Sequence, residues 1–124
     1  MNSTSLTGRS ILIVEDEVLI ALDIANAFER AGAKVATTST LREANELVEQ
    51  DDLSAAILDH ALGREDSSRL CGRLKERGIP YVIYTGFDKV SEIGQDGVHV
   101  SKPASPDVLV ATVEGLLRGR QSPN

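Results

Sequence analysis

The chain has 124 residues, 41% of them hydrophobic, so it is long enough for one domain with a single sizeable core. Its formal net charge of -6 argues against non-specific nucleic-acid binding, and its single cysteine, Cys71, excludes an internal disulfide or a Cys-rich metal site. The polar first ten residues contain no signal peptide and no apolar run approaches the roughly 20 residues that span a membrane, so we expect a cytoplasmic protein.

Short apolar runs alternate with longer amphipathic stretches from residue 10 onward. The runs predict five strands, at 10–15, 34–39, 54–59, 80–85 and 97–101. The other stretches predict five helices, at about 17–31, 40–50, 65–77, 88–94 and 105–118. Gly32 and Gly78 each follow a predicted helix, as C-terminal caps often do. Thr40 with Glu43 forms a capping-box pattern at the start of the second helix.

The alternation of strands and helices predicts the class of fold. The first, third and fourth runs are continuously apolar, which is typical of parallel strands that are covered on both faces. Five such repeats with short links favour an α/β protein with a parallel sheet between two layers of helices, because right-handed crossovers allow little else. We expect a single domain over 1–124, with a core at about 9–118 and loose tails at 1–8 and 119–124.

Polar and charged residues stand where the predicted strands end. The first strand runs into Glu15 and Asp16, the third ends at Asp59, the fourth at Thr85 and the fifth near Lys102. In a parallel α/β sheet, ligands bind beyond the carboxyl ends of the strands. Packing gives no reason to bring three carboxylates together, since like charges repel and burial strengthens that repulsion. The pattern therefore predicts a pocket in which acids hold a cation beside one ammonium group and one hydroxyl.

The same positions carry a resemblance to a known family. They are the acid pair in VEDE, Asp59 at the end of AILD, Thr85 in YTG, and Lys102 with Pro103 in SKP, and they occur in this order. By these four motifs, roughly residues 9–118 resemble the receiver domain of bacterial two-component response regulators. The resemblance implies a flavodoxin-like, doubly wound sheet of five parallel strands in the order 2-1-3-4-5, with helices on both faces.

The resemblance also implies a chemistry. Asp59 would accept a phosphoryl group from a histidine kinase or a phosphotransfer protein and would form an acyl phosphate. Mg²⁺ would assist, and Lys102 and Thr85 would bind the phosphoryl oxygens. The metal ligands implied are Glu15, Asp16, Asp59 and the backbone carbonyl of Ala61. Such a domain catalyses only its own phosphorylation and dephosphorylation, so it is not an enzyme; it signals through a downstream protein partner or serves as a phosphate sink or relay.

Three features differ from most receivers. No proline follows the phosphoacceptor, and His99 stands where a switch aromatic normally lies, three residues before the lysine. Thr85 and Lys102 are only 17 positions apart, which predicts a short fourth helix. Together with IYTGF, these features resemble an alphaproteobacterial subgroup with a Phe-x-Thr-Gly-aromatic run, whose members are often stand-alone receivers. We therefore expect a stand-alone receiver in which Phe87 and the 86–97 loop respond to phosphorylation.

Two other functions fit parts of the pattern. One is a phosphorylation-independent interaction module with a receiver fold, although such a module has no need of the charge cluster. The other is a small Mg²⁺-dependent hydrolase, but enzymes of the aspartyl-phosphate type need a second acid two residues after the nucleophile, and position 61 is alanine.

The first predicted helix is apolar nearly all round over 18–28. A helix that covers one face of a sheet needs only an apolar stripe, so the surplus indicates a docking face for a kinase or for a second copy of the chain. A helix that is merely rich in alanine and leucine explains the pattern equally well. We expect a monomer or a weak homodimer.

Overall fold

The structure is a computed structural model that describes residues 5–50, 52–59, 67–86, 98–102 and 105–121. For residues 85–86, 99, 101–102 and 119–121 the description covers the backbone alone. The predicted short helix at 88–94, Phe87 and Ala61 lie outside the described residues. In the described parts of the chain, no helix is both long enough and apolar enough to cross a membrane.

Five parallel strands form one sheet, and their bounds agree with the predicted ones to within one residue. They are β1 (Ser10–Val14), β2 (Lys34–Thr38), β3 (Ala55–Asp59), β4 (Tyr81–Gly86) and β5 (Val98–Lys102). The strand order is β2-β1-β3-β4-β5, and every neighbouring pair is parallel. The five-stranded, doubly wound sheet in the order 2-1-3-4-5 is therefore confirmed.

Four helices are present in the described residues. They are α1 (Val18–Arg30), α2 (Leu41–Gln50), α3 (Ser68–Glu76) and α4 (Pro106–Gln121). Each lies within three residues of a predicted helix at both ends, and α4 continues past the predicted end at residue 118. Gly32 and Gly78, which follow α1 and α3, have φ of 99° and 71°, the left-handed conformation that glycine adopts without a steric penalty.

The sheet buries both of its faces, as its continuous apolar runs predict. Alternate strand residues point to opposite faces, so Ile11 and Ile13 lie in one apolar cluster and Leu12 and Val14 in the other. The first cluster also contains side chains of α1 and α4, and the second contains side chains of α2 and α3. Helices therefore cover both faces of the sheet.

The segment before β1 differs from the prediction of a loose tail at 1–8. Residues 5–8 form a turn, and Leu6 is only 1% exposed, packed in the apolar cluster that α1 and α4 share. The Leu6 N–H donates to the carbonyl of Ala31 at 2.9 Å, and the Ser5 hydroxyl donates to the Glu114 carboxylate. The prediction is wrong for residues 5–8 because one buried leucine and these hydrogen bonds hold the segment against the fold.

Candidate functional site

The carboxyl edge of the sheet collects the polar residues that the sequence singles out. Val14 is paired with Leu58, so Glu15 and Asp16 follow β1 beside the last residue of β3, Asp59. Asp59 is in turn opposite Tyr84 on β4. Thr85 is opposite Ser101 and Gly86 is opposite Lys102, so β4 and β5 bring both remaining positions to the same edge.

Three carboxylates meet at this edge. One carboxylate oxygen each from Glu15, Asp16 and Asp59 can be chosen so that all three lie within 4.8 Å of one another. Glu15 and Asp59 are each only 3% exposed, whereas Asp16 is exposed. The arrangement gives two buried acids and one that solvent reaches, which is a concentration of negative charge that packing alone does not favour.

Glu15 is buried, and only one of its two carboxylate oxygens has a hydrogen-bond partner among the described residues. Its Oε2 accepts a hydrogen bond from the backbone N–H of Glu17 at 2.9 Å, while its buried Oε1 has no partner among the described residues. Burial raises the pKa of Glu15 to about 7; the nearby carboxylates of Asp59 and Asp16 also raise it, and the Glu17 N–H opposes them. A cation at this place would supply the partner that Oε1 lacks and remove the repulsion.

The residues present fit Mg²⁺. This ion takes oxygen ligands, usually one or two protein carboxylates together with waters, in octahedral geometry. Asp16 and Asp59 offer such ligands, and the unpartnered Oε1 of Glu15 lies beside them. Ala61, which the resemblance adds as a carbonyl ligand, lies outside the described residues, and the side chains of Thr85 and Lys102 are likewise not described.

The hydrogen bonds around Thr38 support the acid cluster, and no sequence pattern signals this role. The Glu15 N–H donates to the carbonyl of Thr38, the last residue of β2, at 2.9 Å. The buried Thr38 hydroxyl donates to the Glu43 carboxylate and accepts from the Thr40 N–H at 3.3 Å. The predicted capping box is therefore only half formed: Glu43 N–H donates to Thr40 Oγ1 at 3.2 Å, but the Glu43 side chain reaches Thr38 instead of the Thr40 N–H.

Comparison with known proteins decides the family. Residues 11–114 match the sequence profile of the response regulator receiver domain. The chain belongs to this family. The receiver is 32% identical to the transcriptional regulatory protein GltR of Pseudomonas aeruginosa over 94% of its own length and 52% of GltR. The chain thus spans about half the length of the curated relatives it matches.

Solved structures agree with the assignment. The receiver superimposes on the response regulator PhyR of Brucella abortus with a TM-score of 0.80 and 26% identity, covering 96% of this chain and 52% of that one. A response regulator receiver protein of Sinorhizobium medicae gives the same TM-score at 22% identity, covering 91% of this chain and 97% of that one, and is evidence for the fold alone. The receiver is accordingly a response-regulator component of two-component signalling.

Proposed function

We propose that this receiver accepts a phosphoryl group on Asp59 from a histidine kinase or a phosphotransfer protein, in a reaction that requires Mg²⁺. The observation that carries the proposal is the position of Asp59. It is buried at the carboxyl end of β3, within 4.8 Å of the carboxylates of Glu15 and Asp16. Burying one carboxylate beside others lowers the stability of the fold, so the cluster needs a functional explanation. A phosphoacceptor aspartate beside a bound metal ion supplies that explanation.

Each residue of the site has its own role in the proposed phosphoryl transfer. A carboxylate oxygen of Asp59 attacks the phosphorus of a phosphohistidine, the P–N bond breaks, and the imidazole leaves with the electron pair of that bond. Asp16 and Asp59 would hold Mg²⁺ with Glu15 beside them, and the family resemblance adds the backbone carbonyl of Ala61 as a ligand and a water between Glu15 and the ion. When bound, the ion cancels the repulsion between the carboxylates and the phosphoryl oxygens.

Lys102 and Thr85 complete the proposed site at the far side of Asp59. The backbone of β4 and β5 brings both positions to the edge where Asp59 lies. In our proposal, the Lys102 ammonium group pairs with one phosphoryl oxygen and the Thr85 hydroxyl donates to another. Because these groups act only on the domain's own phosphoryl group, we propose that the chain is no enzyme toward other substrates.

The finer features that the sequence predicts belong to the same proposal. Stand-alone operation, membership of the alphaproteobacterial subgroup and a cytoplasmic location stay predictions, as does output through a protein partner or through a phosphate sink or relay. GltR is named as a transcriptional regulatory protein, and that activity belongs to GltR. A phosphorylation-independent module is the rival function, and the acid cluster argues against it because binding alone gives those charges no role.

Intact-mass analysis after incubation with acetyl phosphate and Mg²⁺ tests the proposal. We expect wild type to gain the mass of one phosphoryl group and Asp59→Asn to gain none, since the amide keeps the shape of the side chain but is not a nucleophile. Asp52→Asn is the matched control, because Asp52 is exposed and precedes β3 at the opposite edge of the sheet. It should gain the mass as wild type does.

Two results would contradict the assignment. If Asp59→Asn gains the same mass as wild type, the acceptor is another residue. If wild type gains nothing from acetyl phosphate, from a panel of phosphorylated histidine kinases or from a phosphotransfer protein, the phosphoacceptor function is wrong and the phosphorylation-independent module replaces it.

A further inference from the structure

A groove runs along α1 on the side of this helix that faces the edge strand β2. Its volume is about 480 Å³, and the residues that line it extend from Glu15 to Glu29 on one side and from Val35 to Glu43 on the other. At a rise of 1.5 Å per residue, the α1 wall from Val18 to Glu29 is about 17 Å long. The groove therefore has the length of about three helical turns and begins beside the acid cluster.

The α1 wall of this groove carries two exposed apolar side chains, together with the polar Asn26 and Glu29. Val18 and Leu22, one helical turn apart, are 74% and 53% exposed and line the groove, and Leu19 beside them is 77% exposed. Ala21, Ala25 and Val35 continue the apolar lining. Within the described residues, Val108 is the one other large apolar side chain exposed to a similar degree. Exposed apolar side chains concentrated in one place indicate a binding surface.

The charges of the groove restrict what can occupy it. Glu29 and Glu43 supply exposed carboxylates to its lining, whereas Glu15 is buried at its end; no lysine or arginine is among the described residues that line it. A second copy of this chain, docked by the same face, would set these acids against their own counterparts. An anionic lipid surface would meet the same repulsion. A partner of opposite charge meets no such penalty, and an amphipathic helix is the element that fits an apolar groove of this length.

We propose that the groove binds a cationic amphipathic helix of a partner protein. Apolar side chains of that helix pack on Val18 and Leu22, and its lysines or arginines pair with Glu29 and Glu43. The inference goes beyond phosphoryl transfer, since Glu15 is the one residue that the groove shares with the acid cluster. Binding therefore does not need Asp59, and the Asp59→Asn variant should bind as wild type does.

A titration with synthetic peptides tests the proposal. The probe is a helical peptide of leucine, alanine and lysine with its leucines on one face, added to the ¹⁵N-labelled chain in saturating Mg²⁺. We expect amide shifts confined to residues 18–29 and 35–43. Leu22→Asp and Glu29→Lys should each weaken binding about tenfold, as expected when an anchoring contact is lost. Phosphoryl acceptance by these variants should be unchanged, which shows that they are folded.

Matched controls separate the groove from general electrostatic attraction. Val108→Asp on α4 and Glu46→Lys on α2 change exposed residues outside the groove lining and should leave the affinity unaltered. A peptide of the same composition with its leucines scattered around the helix should bind much more weakly. The Asp16→Asn variant should bind as wild type does, because the acid cluster is not the binding site.

Four results would overturn the proposal. The first is equal binding of the scattered peptide, and the second is shifts spread over the whole surface. The third is a loss of binding in Asp16→Asn without a loss in Glu29→Lys. The fourth is a concentration-dependent dimer, seen by analytical ultracentrifugation, that Leu22→Asp dissociates, because the face would then be occupied by a second copy. None of these outcomes bears on whether Asp59 accepts phosphate.

Discussion

Glu15 combines burial with a shortage of partners, and this combination sets the electrostatics of the site without metal. One of its carboxylate oxygens accepts the Glu17 N–H, and the other is buried without a partner among the described residues. Burial raises the pKa of the side chain from the usual 4.5 to about 7, and proximity to Asp59 contributes in the same direction. Below about pH 7 the folded protein therefore favours the neutral carboxyl of Glu15, whereas in the unfolded chain this carboxyl is ionised above about pH 4.5.

The sign of the resulting pH dependence follows from proton uptake. Between pH 4.5 and about 7 the folded state binds more protons at Glu15 than the unfolded state does, so stability falls as the pH rises through this window. Above about pH 7 the folded state no longer gains this stability from the neutral carboxyl of Glu15. We expect a loss on the order of 1–2 kcal/mol, allowing for solvent screening.

Urea unfolding in EDTA at about pH 5.5 and pH 8 checks this prediction. Glu15→Gln should abolish most of the difference that wild type shows between the two pH values, because the amide does not ionise. Glu46→Gln, which changes an exposed acid on α2, should keep the wild-type difference. If wild type and Glu15→Gln lose the same stability between the two pH values, Glu15 is not the group responsible.

The sequence predicts some residues of the site and misses others. Glu15, Asp16 and Asp59 are found because each ends an apolar run, and parallel strands bring such ends together. Thr38 could not be found in this way, because its role depends on a backbone carbonyl and on a hydroxyl that happens to reach Glu43. The side-chain roles of Thr85 and Lys102 rest on the family resemblance and stay predictions.

At the scale of elements, the turn from α1 to β2 depends on the backbone conformation of Gly32 and on its contact with Thr7, which is distant in sequence. Gly32 has a φ of 99°, and a Cβ at this position would lie 2.5 Å from Thr7 Oγ1 and 3.0 Å from the Thr7 backbone nitrogen. The first contact can be relieved by rotation of the threonine side chain, but the second requires movement of the backbone. Conformation and space therefore both require glycine at this position.

We predict that Gly32→Ala lowers the free energy of unfolding by about 1–3 kcal/mol, through the left-handed backbone and the collision with Thr7. Gly115→Ala is the matched control, since Gly115 lies in α4, has an ordinary φ and has no neighbouring atom within 4 Å of the place that a methyl group would take. It should stabilise the protein by about 0.5–1 kcal/mol. Chemical denaturation of both variants measures the difference, and equal effects would contradict the prediction.

The turn at residues 5–8 is an element that periodicity could not predict. Leu6 is the one large apolar residue in MNSTSLTGRS apart from Met1, and a single leucine gives neither a strand nor a helix pattern. Its burial depends on contacts with side chains of α1 and α4, most of which are distant in sequence. The capping box differs for a similar reason, because the geometry of β2 places Thr38 closer to Glu43 than the sequence suggests.

We predict that Leu6→Ala destabilises the protein by about 2–4 kcal/mol, because it removes a fully buried side chain and leaves a cavity. Leu19→Ala on α1 removes the same atoms from a side chain that is 77% exposed, and it should change stability by less than about 0.5 kcal/mol. Urea denaturation of the two variants checks the pair. If Leu6→Ala costs no more than Leu19→Ala, the segment before β1 is not held in the core.

For the molecule as a whole, the strands and their order in the sheet could be predicted from the sequence, whereas the prediction for the connection between β4 and β5 stays untested. Apolar runs fix the strands, and short links with right-handed crossovers fix their parallel arrangement. The two faces of the sheet follow from alternation along each strand, as Ile57 and Leu58 show by lying in opposite clusters. The predicted short helix at 88–94 lies outside the described residues and stays a prediction.

Stability of the whole domain should depend on Mg²⁺ if the acid cluster holds it. A ligand that binds only the folded state stabilises it, by about 2.7 kcal/mol when its concentration is a hundred times its dissociation constant. Asp16→Asn removes a proposed ligand and should lose most of this gain, whereas Asp52→Asn at the opposite edge of the sheet should keep it. Thermal unfolding with and without Mg²⁺ measures the gain for each variant.

The pH dependence of this gain distinguishes a metal in the cluster from general screening by salt. Protonation of Glu15 below about pH 7 weakens its attraction for a cation, so the stabilisation by Mg²⁺ should grow as the pH rises while the metal-free protein becomes less stable. In Glu15→Gln both trends should flatten together. If equal ionic strength from a monovalent salt gives wild type the same gain with the same pH dependence, the cluster does not hold Mg²⁺ specifically.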